Sequence, residues 1–217
     1  TLGGPPTYVS VAAAKLDARV SVISKVGNDF PRRYLTWLKS NNLDLSGLKK
    51  IPRACTTRFI LEYKGWQRQL RRKTKAPPIL PSDVPNSTLS TIVHVAPITN
   101  EISSGVVTKL RKSAEVLSLD PQGFVRRFDK KGNVNAKKWR DTEMLAQIDV
   151  FKSSIEEIQA VTRVRDLGSA MKKIADYGIR VVVVTRSMKG STLFFDKQFY
   201  TIPPCKPKAV VDPTGAG

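Results

Sequence analysis

Cysteine, histidine and acid are all scarce in this chain. Of 217 residues two are cysteine and one is histidine, and 18 Asp plus Glu face 37 Lys plus Arg, a formal charge of +19. Cys55 and Cys205 lie far apart without CxxC or Cys/His spacing, which argues against a structural zinc site or a disulfide scaffold and makes a buried thiol the expected role of each. Long apolar runs are missing too. The most apolar, Ile179 to Thr185, is interrupted by Arg180 and falls well short of the roughly 20 residues a membrane helix needs. The opening Thr-Leu-Gly-Gly-Pro-Pro has neither the charged leader nor the apolar segment of a secretory signal, so a cytoplasmic location is expected. Compositional bias is absent as well: 41% hydrophobic and 25% charged residues argue against wholesale disorder and low-complexity polymers.

Base is abundant, and it is clustered. One group is Lys64, Arg68, Arg71, Arg72, Lys73 and Lys75; the other is Arg126, Arg127, Lys130, Lys131, Lys137, Lys138 and Arg140, broken only by Asp129. Such clusters are the electrostatic footprint of phosphate-backbone binding. A solvated basic face, or a funnel for a small anionic ligand, accounts for them without a polymer, and nucleic acid is not the expected partner.

Hydrophobic period supplies the fold class. Thr7 to Leu16 carries Val9, Ala12, Ala13 and Leu16 at helical spacing behind Pro5 and Pro6, so a helix is predicted directly after Gly4. A short strand over Val20 to Ser24 leads through the turn Gly27-Asn28-Asp29 into an amphipathic helix containing Tyr34, Leu35 and Leu38. From Thr56 to Thr74, β-branched and aromatic residues around a Lys-Gly turn predict a β-hairpin standing off the main sheet. Beyond a Pro-rich connector, apolar strands are predicted at Thr91 to Val95, Val116 to Leu119, Ile148 to Phe151 and Val181 to Thr185. Helices over Ser103 to Arg111, Glu156 to Thr162 and Asp166 to Tyr177 separate them. This alternation is α/β with a mainly parallel sheet. Ligands of such sheets bind outside the carboxyl ends of the strands.

The most informative stretch is Val210 to Gly217. Gly-Ala-Gly after an apolar run lets backbone amides converge on an anion, although an ordinary strand-to-helix turn explains the glycines equally well. Asp212-Pro213-Thr214-Gly215-Ala216-Gly217 resembles the Asp-Thr-x-Gly-Ala-Gly signature of the ribokinase-like, or phosphofructokinase B, carbohydrate kinases. Other segments resemble that family in the same order. Gly3-Gly4 is similar to its diglycine, Gly27-Asn28-Asp29-Phe30 to its Gly-x-Asp turn, and the hairpin from Thr56 to its β-lid. Ser154-Ile155-Glu156-Glu157 resembles Asn-x-x-Glu, and Thr185-Arg186-Ser187-Met188-Lys189-Gly190 resembles the nucleotide turn Thr-x-Gly-x-x-Gly. Segments around His94, Leu119 to Arg126, Trp139 and Asp149 to Lys152 resemble prokaryotic myo-inositol kinases and their relatives within the family.

The resemblance covers the whole chain and implies a three-layer α/β/α fold, residues 1–217 forming one kinase domain with a β-lid at about 54–75. It implies ATP and Mg2+ as cofactors, and a sugar, polyol (myo-inositol first) or nucleoside as acceptor. It also implies a homodimer through the lid. On this basis Gly215, Ala216 and Gly217 form the anion hole; Thr185, Lys189, Gly190, Asp212 and Thr214 face the nucleotide; Gly3, Gly4, Asp29, Thr57 and Asp120 face the acceptor; and Glu157 serves the metal. For Asp120 a capping role in its loop is an equal reading, and His94 is read as a satisfied sheet residue. Tyr8, Ser154 and Ser187 depart from the family pattern, which normally has Asn, Asn and Gly there. The resemblance further places a substrate-binding strand before Gly3 and the catalytic aspartate just after Gly217, so the chain is expected to be a fragment. The competing reading is a non-catalytic relative that grips nucleic acid or an acidic partner through its basic surface.

Overall fold

The computed structural model describes residues 1–64, 67–86, 90–139 and 141–205. In chain order the elements are α1 (Pro5–Ala14), β1 (Val20–Ser21), β2 (Ser24–Gly27), α2 (Arg32–Ser40), β3 (Leu43–Asp44), β4 (Leu48–Ile51), β5 (Arg58–Lys64) and β6 (Gln67–Thr74). There follow β7 (Ser90–Val95), α3 (Ser104–Arg111), β8 (Ala114–Leu119), β9 (Arg126–Phe128), β10 (Val134–Ala136) and β11 (Val150–Ser154). The last are α4 (Ile155–Thr162), α5 (Leu167–Ala175), β12 (Val181–Thr185), β13 (Ser191–Phe195) and β14 (Gln198–Ile202). They divide into two units: the described residues of 1–86, 97–106 and 126–137, and those of 87–96, 107–125 and 138–217.

The second unit is built on one six-stranded sheet, ordered β14-β13-β12-β11-β8-β7. β7, β8, β11 and β12 run parallel and β13 and β14 return antiparallel. Parallel pairing requires crossovers; α3 connects β7 to β8 and the α4–α5 pair connects β11 to β12, while the segment carrying β9 and β10 connects β8 to β11. Leu117, Leu119, Phe151, Ile158, Ala170, Met171, Ile174, Val182 and Val184 are completely buried between sheet and helices. At the amino ends of the strands Asp149 ties the sheet together, accepting from the Leu117 amide at 2.7 Å and pairing with Arg111. Burial opposes ionisation of this carboxyl, but the Leu117 amide and the Arg111 and Arg180 cations outweigh it and hold its pKa below the ordinary value.

In the first unit, β1 pairs with β3 and β2 with β4, both parallel, over a core of Val26, Phe30, Leu38 and Leu43. β5 and β6 form a separate antiparallel hairpin, and β9 and β10 a second one. The strand expected over Val20 to Ser24 is broken in two. Its partner carries the turn Leu45-Ser46-Gly47, closed by the Leu48 amide on the Leu45 carbonyl at 2.9 Å, so pairing stops and restarts. α1 starts directly after Gly4 as predicted but ends at Ala14, so Leu16, 82% exposed, lies beyond it; within it Val9 is 41% exposed while Thr7 and Ser10 are buried. A helix of small and apolar residues all round offers no stripe to select its buried face.

The expectation of buried thiols is corrected: Cys55 and Cys205 are both exposed. Cys55 lies in the loop before β5, which presents backbone to its neighbours; the Asn28 amide donates to the Ala54 carbonyl at 3.0 Å. Cys205 follows Pro203 and Pro204 after β14, a strand exposed along its whole length.

Candidate functional site

The carboxyl ends of β8, β11 and β12 gather polar side chains. Asp120 directly follows β8, with its residue only 7% exposed. One oxygen accepts from the Gln122 amide at 3.1 Å, capping the 3-10 turn Pro121–Gly123, and the other pairs with Lys152 Nζ at 3.0 Å. The capping reading of Asp120 is therefore correct, and the ion pair adds to it. Lys152 was missed in the sequence. The signal was a lysine inside the apolar β11, whose parallel register, Val150 with Ser118 and Phe151 with Leu119, sets Lys152 abreast of Asp120.

His94 Nδ1 lies 3.0 Å from Ser118 Oγ, so this imidazole is a satisfied sheet residue as expected. Burial holds its pKa below 6.5 and outweighs the pull of Asp120, with Lys152 adding to the depression.

β11 ends at Ser154, which caps α4 reciprocally with Glu157. The Glu157 amide donates to Ser154 Oγ at 3.3 Å, and the Ser154 amide to Glu157 Oε2 at 2.8 Å. The Ser-x-x-Glu pattern is thus a capping box, legible as one beside its resemblance to Asn-x-x-Glu. Glu157 Oε1 is left toward Gln122 Nε2, 3.4 Å away.

At the end of β12 Thr185 Oγ1 lies 3.4 Å from the Ser153 carbonyl, and a one-turn 3-10 segment, Ser187–Lys189, leads to Gly190. Ser187 takes φ 52, in the left-handed region where side chains are strained, which explains why glycine suits this position. Gly190 has φ +77, and a Cβ on it would lie 2.1 Å from the Ile202 carbonyl oxygen. Asp120, Glu157, Thr185, Lys189 and Gly190 therefore share one edge of one sheet. Asp212, Thr214, Gly215, Ala216 and Gly217 lie outside the described residues.

In the first unit Gly4 is the N-cap of α1, and the Gly3 carbonyl accepts from Thr7 Oγ1 at 3.2 Å. Asp29 accepts from the Thr56 amide at 2.7 Å and its hydroxyl at 2.8 Å, and pairs with Arg58 at 2.7 Å. The Thr56 bonds, with Arg58 a lesser contribution, keep this exposed carboxyl below its ordinary pKa. Thr57 Oγ1 accepts from the Ala76 amide at 2.9 Å. Asp29 and Thr57 thus clasp the two roots of the β5–β6 hairpin, a positioning task that the motif reading did not include.

The mostly parallel sheet flanked by helices agrees with what comparison with known proteins finds for the fold. Residues 1–217 match the description pfkB family carbohydrate kinase, and the chain belongs to that family. It is 26% identical over 222 residues to a cytidine kinase of Thermococcus kodakarensis, covering 99% of this chain and 76% of that protein. It is 29% identical over 224 residues to an inositol 3-kinase of Arabidopsis thaliana, covering 100% of this chain and 58% of that one. The fold is that of the ribokinase family: a pyrophosphate-dependent member complexed with a pyrophosphate analog and myo-inositol superposes with a TM-score of 0.78 at 23% identity, over 94% of this chain and 70% of that one. Among the described residues no helix is long and apolar enough to cross a membrane.

Proposed function

We propose that the protein transfers a phosphoryl group from ATP to a hydroxyl of a small sugar, polyol or nucleoside, with myo-inositol the first acceptor to test. The observation that carries this reading is the shared edge of Asp120, Lys152, Glu157, Thr185 and Gly190 at the carboxyl ends of three strands, in a chain that matches a kinase family from end to end. Such transfers need positioning and charge stabilisation more than covalent chemistry. In this reading the Gly215 to Gly217 amides hold the charge that develops on the transferred phosphoryl, and Thr185, Lys189, Gly190, Asp212 and Thr214 seat the nucleotide. Lys152, paired with Asp120, keeps a cation within the sheet edge. Gly3, Gly4, Asp29 and Thr57 serve the acceptor side, the last two by rooting a lid whose closure excludes water.

Mg2+ fits the donor set. Among the described residues no three His, Cys, Asp or Glu side chains cluster as ligands, and nucleotide-bound Mg2+ needs only one or two carboxylates beside water and phosphates. Glu157, with Oε1 outside the capping box, supplies one. When bound, the ion neutralises charge on the phosphates.

The similar proteins include a cytidine kinase and an inositol 3-kinase, and the similar solved structure is of a pyrophosphate-dependent kinase. The deciding experiment is a product assay on the full-length gene product, crossing ATP and pyrophosphate with myo-inositol, cytidine and fructose. Turnover of inositol with ATP is expected; turnover of cytidine alone reassigns the acceptor, and a folded protein that turns over none of the three with either donor overturns the reading. A homodimer through the lid belongs to the same proposal.

A further inference from the structure

The two basic clusters, some 60 residues apart in sequence, meet in the structure. The Arg72 amide donates to the Gly132 carbonyl at 2.8 Å, and Arg71 bridges Asn133 antiparallel, so the β9–β10 turn is seated on β6. The contact is close: Gly132 has φ +85, and a Cβ there would stand 2.1 Å from the Arg72 carbonyl oxygen. Behind it Phe128 packs on Phe59, and the Arg72 guanidinium lies 4.2 Å over the Phe128 ring, a stacking that fixes the direction of this side chain.

Between the hairpins is a pocket of about 260 Å³, lined by Arg71, Arg72, Lys73, Thr74, Lys75, Asp129, Lys130, Lys131 and Gly132. Six of these are cations and one is an acid. Asp129 accepts from the Lys131 and Asn133 amides and from Asn133 Nδ2, at 2.8 to 2.9 Å, so its own turn occupies it. Among the described residues none of Arg71, Lys73, Lys75, Lys130 and Lys131 forms an ion pair. Uncompensated like charges around a concavity raise the free energy of the empty pocket and focus potential into it.

We propose that this pocket binds condensed phosphate, either free or as the phosphate chain of a nucleotide. A single phosphate brings at most about two negative charges and leaves most of the excess unmatched, whereas a linked chain meets cations on both rims at once. The small volume and its two short rims favour a small polyanion over an extended polymer. The proposal goes beyond the transfer reaction and uses none of the residues assigned to it.

The test is calorimetric titration of the full-length protein with tripolyphosphate. Two double variants carry the same change of net charge: Lys73→Glu with Lys130→Glu inside the pocket, and Lys137→Glu with Lys138→Glu outside it. Thermal melts confirm that both are folded. The expected result is at least tenfold weaker binding for the first pair and less than threefold for the second, since charge-assisted contacts are local. Equal loss in both, or in neither, overturns the site. Competition by ATP for the same site identifies a nucleotide tail as the ligand, and its absence identifies free polyphosphate. A ten-nucleotide single strand that binds more tightly than tripolyphosphate and loses affinity in the first variant makes the surface a nucleic-acid site and overturns the condensed-phosphate assignment.

Discussion

Single residues in this chain make more than one contact, and substitutions can separate their effects. Glu157 closes the capping box of α4 and offers its other oxygen to the sheet edge. Glu157→Gln keeps an acceptor for the Ser154 amide but loses the charge, so it should melt within about 0.5 kcal/mol of the parent, while Glu157→Ala should cost about 1 kcal/mol by loss of the cap. Calorimetry of nucleotide binding with and without Mg2+ then tests the proposed metal role separately. Unchanged Mg2+ dependence in the Gln variant would leave Glu157 as a cap alone. The turn after β12 offers a second contrast. Gly190→Ala drives a Cβ into the Ile202 carbonyl at a φ closed to side chains and should lose roughly 3 kcal/mol. Ser187→Gly instead releases a left-handed residue and should leave stability the same or up to about 1 kcal/mol higher, strain relief being partly offset by the freer unfolded chain. Denaturant melts of both variants check the pair, and a Gly190→Ala protein as stable as the parent contradicts the geometry.

Between elements, Asp83 is the fastening whose loss should be felt most. It reaches Lys25 on β2 at 2.5 Å, Lys49 on β4 at 2.9 Å and the Leu80 amide at 2.6 Å, with both Asp83 and Lys25 side chains over nine-tenths buried. Burial opposes its ionisation, but the bonds from Lys25, Leu80 and Lys49 prevail and lower its pKa from 3.8 to about 2. A carboxylate depressed in the folded state contributes stability above its unfolded pKa and loses it as pH falls through the folded one. Asp83→Asn should therefore cost roughly 3 kcal/mol at neutral pH, since it strands a buried lysine, and should flatten the acid dependence of stability between pH 4 and 2. Urea melts across that range test both. Nothing in the local sequence marks Asp83 as an ion-pair centre, because the lysines it pairs with lie 58 and 34 positions away. The same limit runs through the fold. β12 was legible residue for residue from its valines, and α2 from its apolar stripe. β11 was placed too early because hydropathy stops at Phe151, whereas its pairing with β12 continues through Lys152, Ser153 and Ser154. Motifs located the sheet edge, but the Asp120–Lys152 pair, the clasp of Asp29 on Thr56 and the seating of Gly132 on Arg72 exist only in register and tertiary contact.

At the scale of the whole molecule the charge of +19 works against both folding and self-association. Like charges repel across a compact surface, and the described carboxylates that pair with cations are Asp29, Asp83, Asp120 and Asp149, each already engaged. Added salt screens the surface repulsion over a Debye length of about 8 Å at 0.15 M while leaving the buried Asp83–Lys25 pair little affected. The midpoint of thermal unfolding should therefore rise as NaCl increases from about 20 to 300 mM, the range over which that length contracts most. A dimer through the β5–β6 hairpin would bring Arg71, Lys73 and Lys75 of two copies near one another, so its dissociation constant should fall over the same range. Sedimentation velocity at several protein concentrations measures this directly. If the dimer instead weakens with salt, opposite charges must meet across it and the basic hairpin does not form its interface. If the melting temperature falls with salt, attractive ion pairs outweigh the net repulsion, and the basic pocket must be compensated by the protein itself.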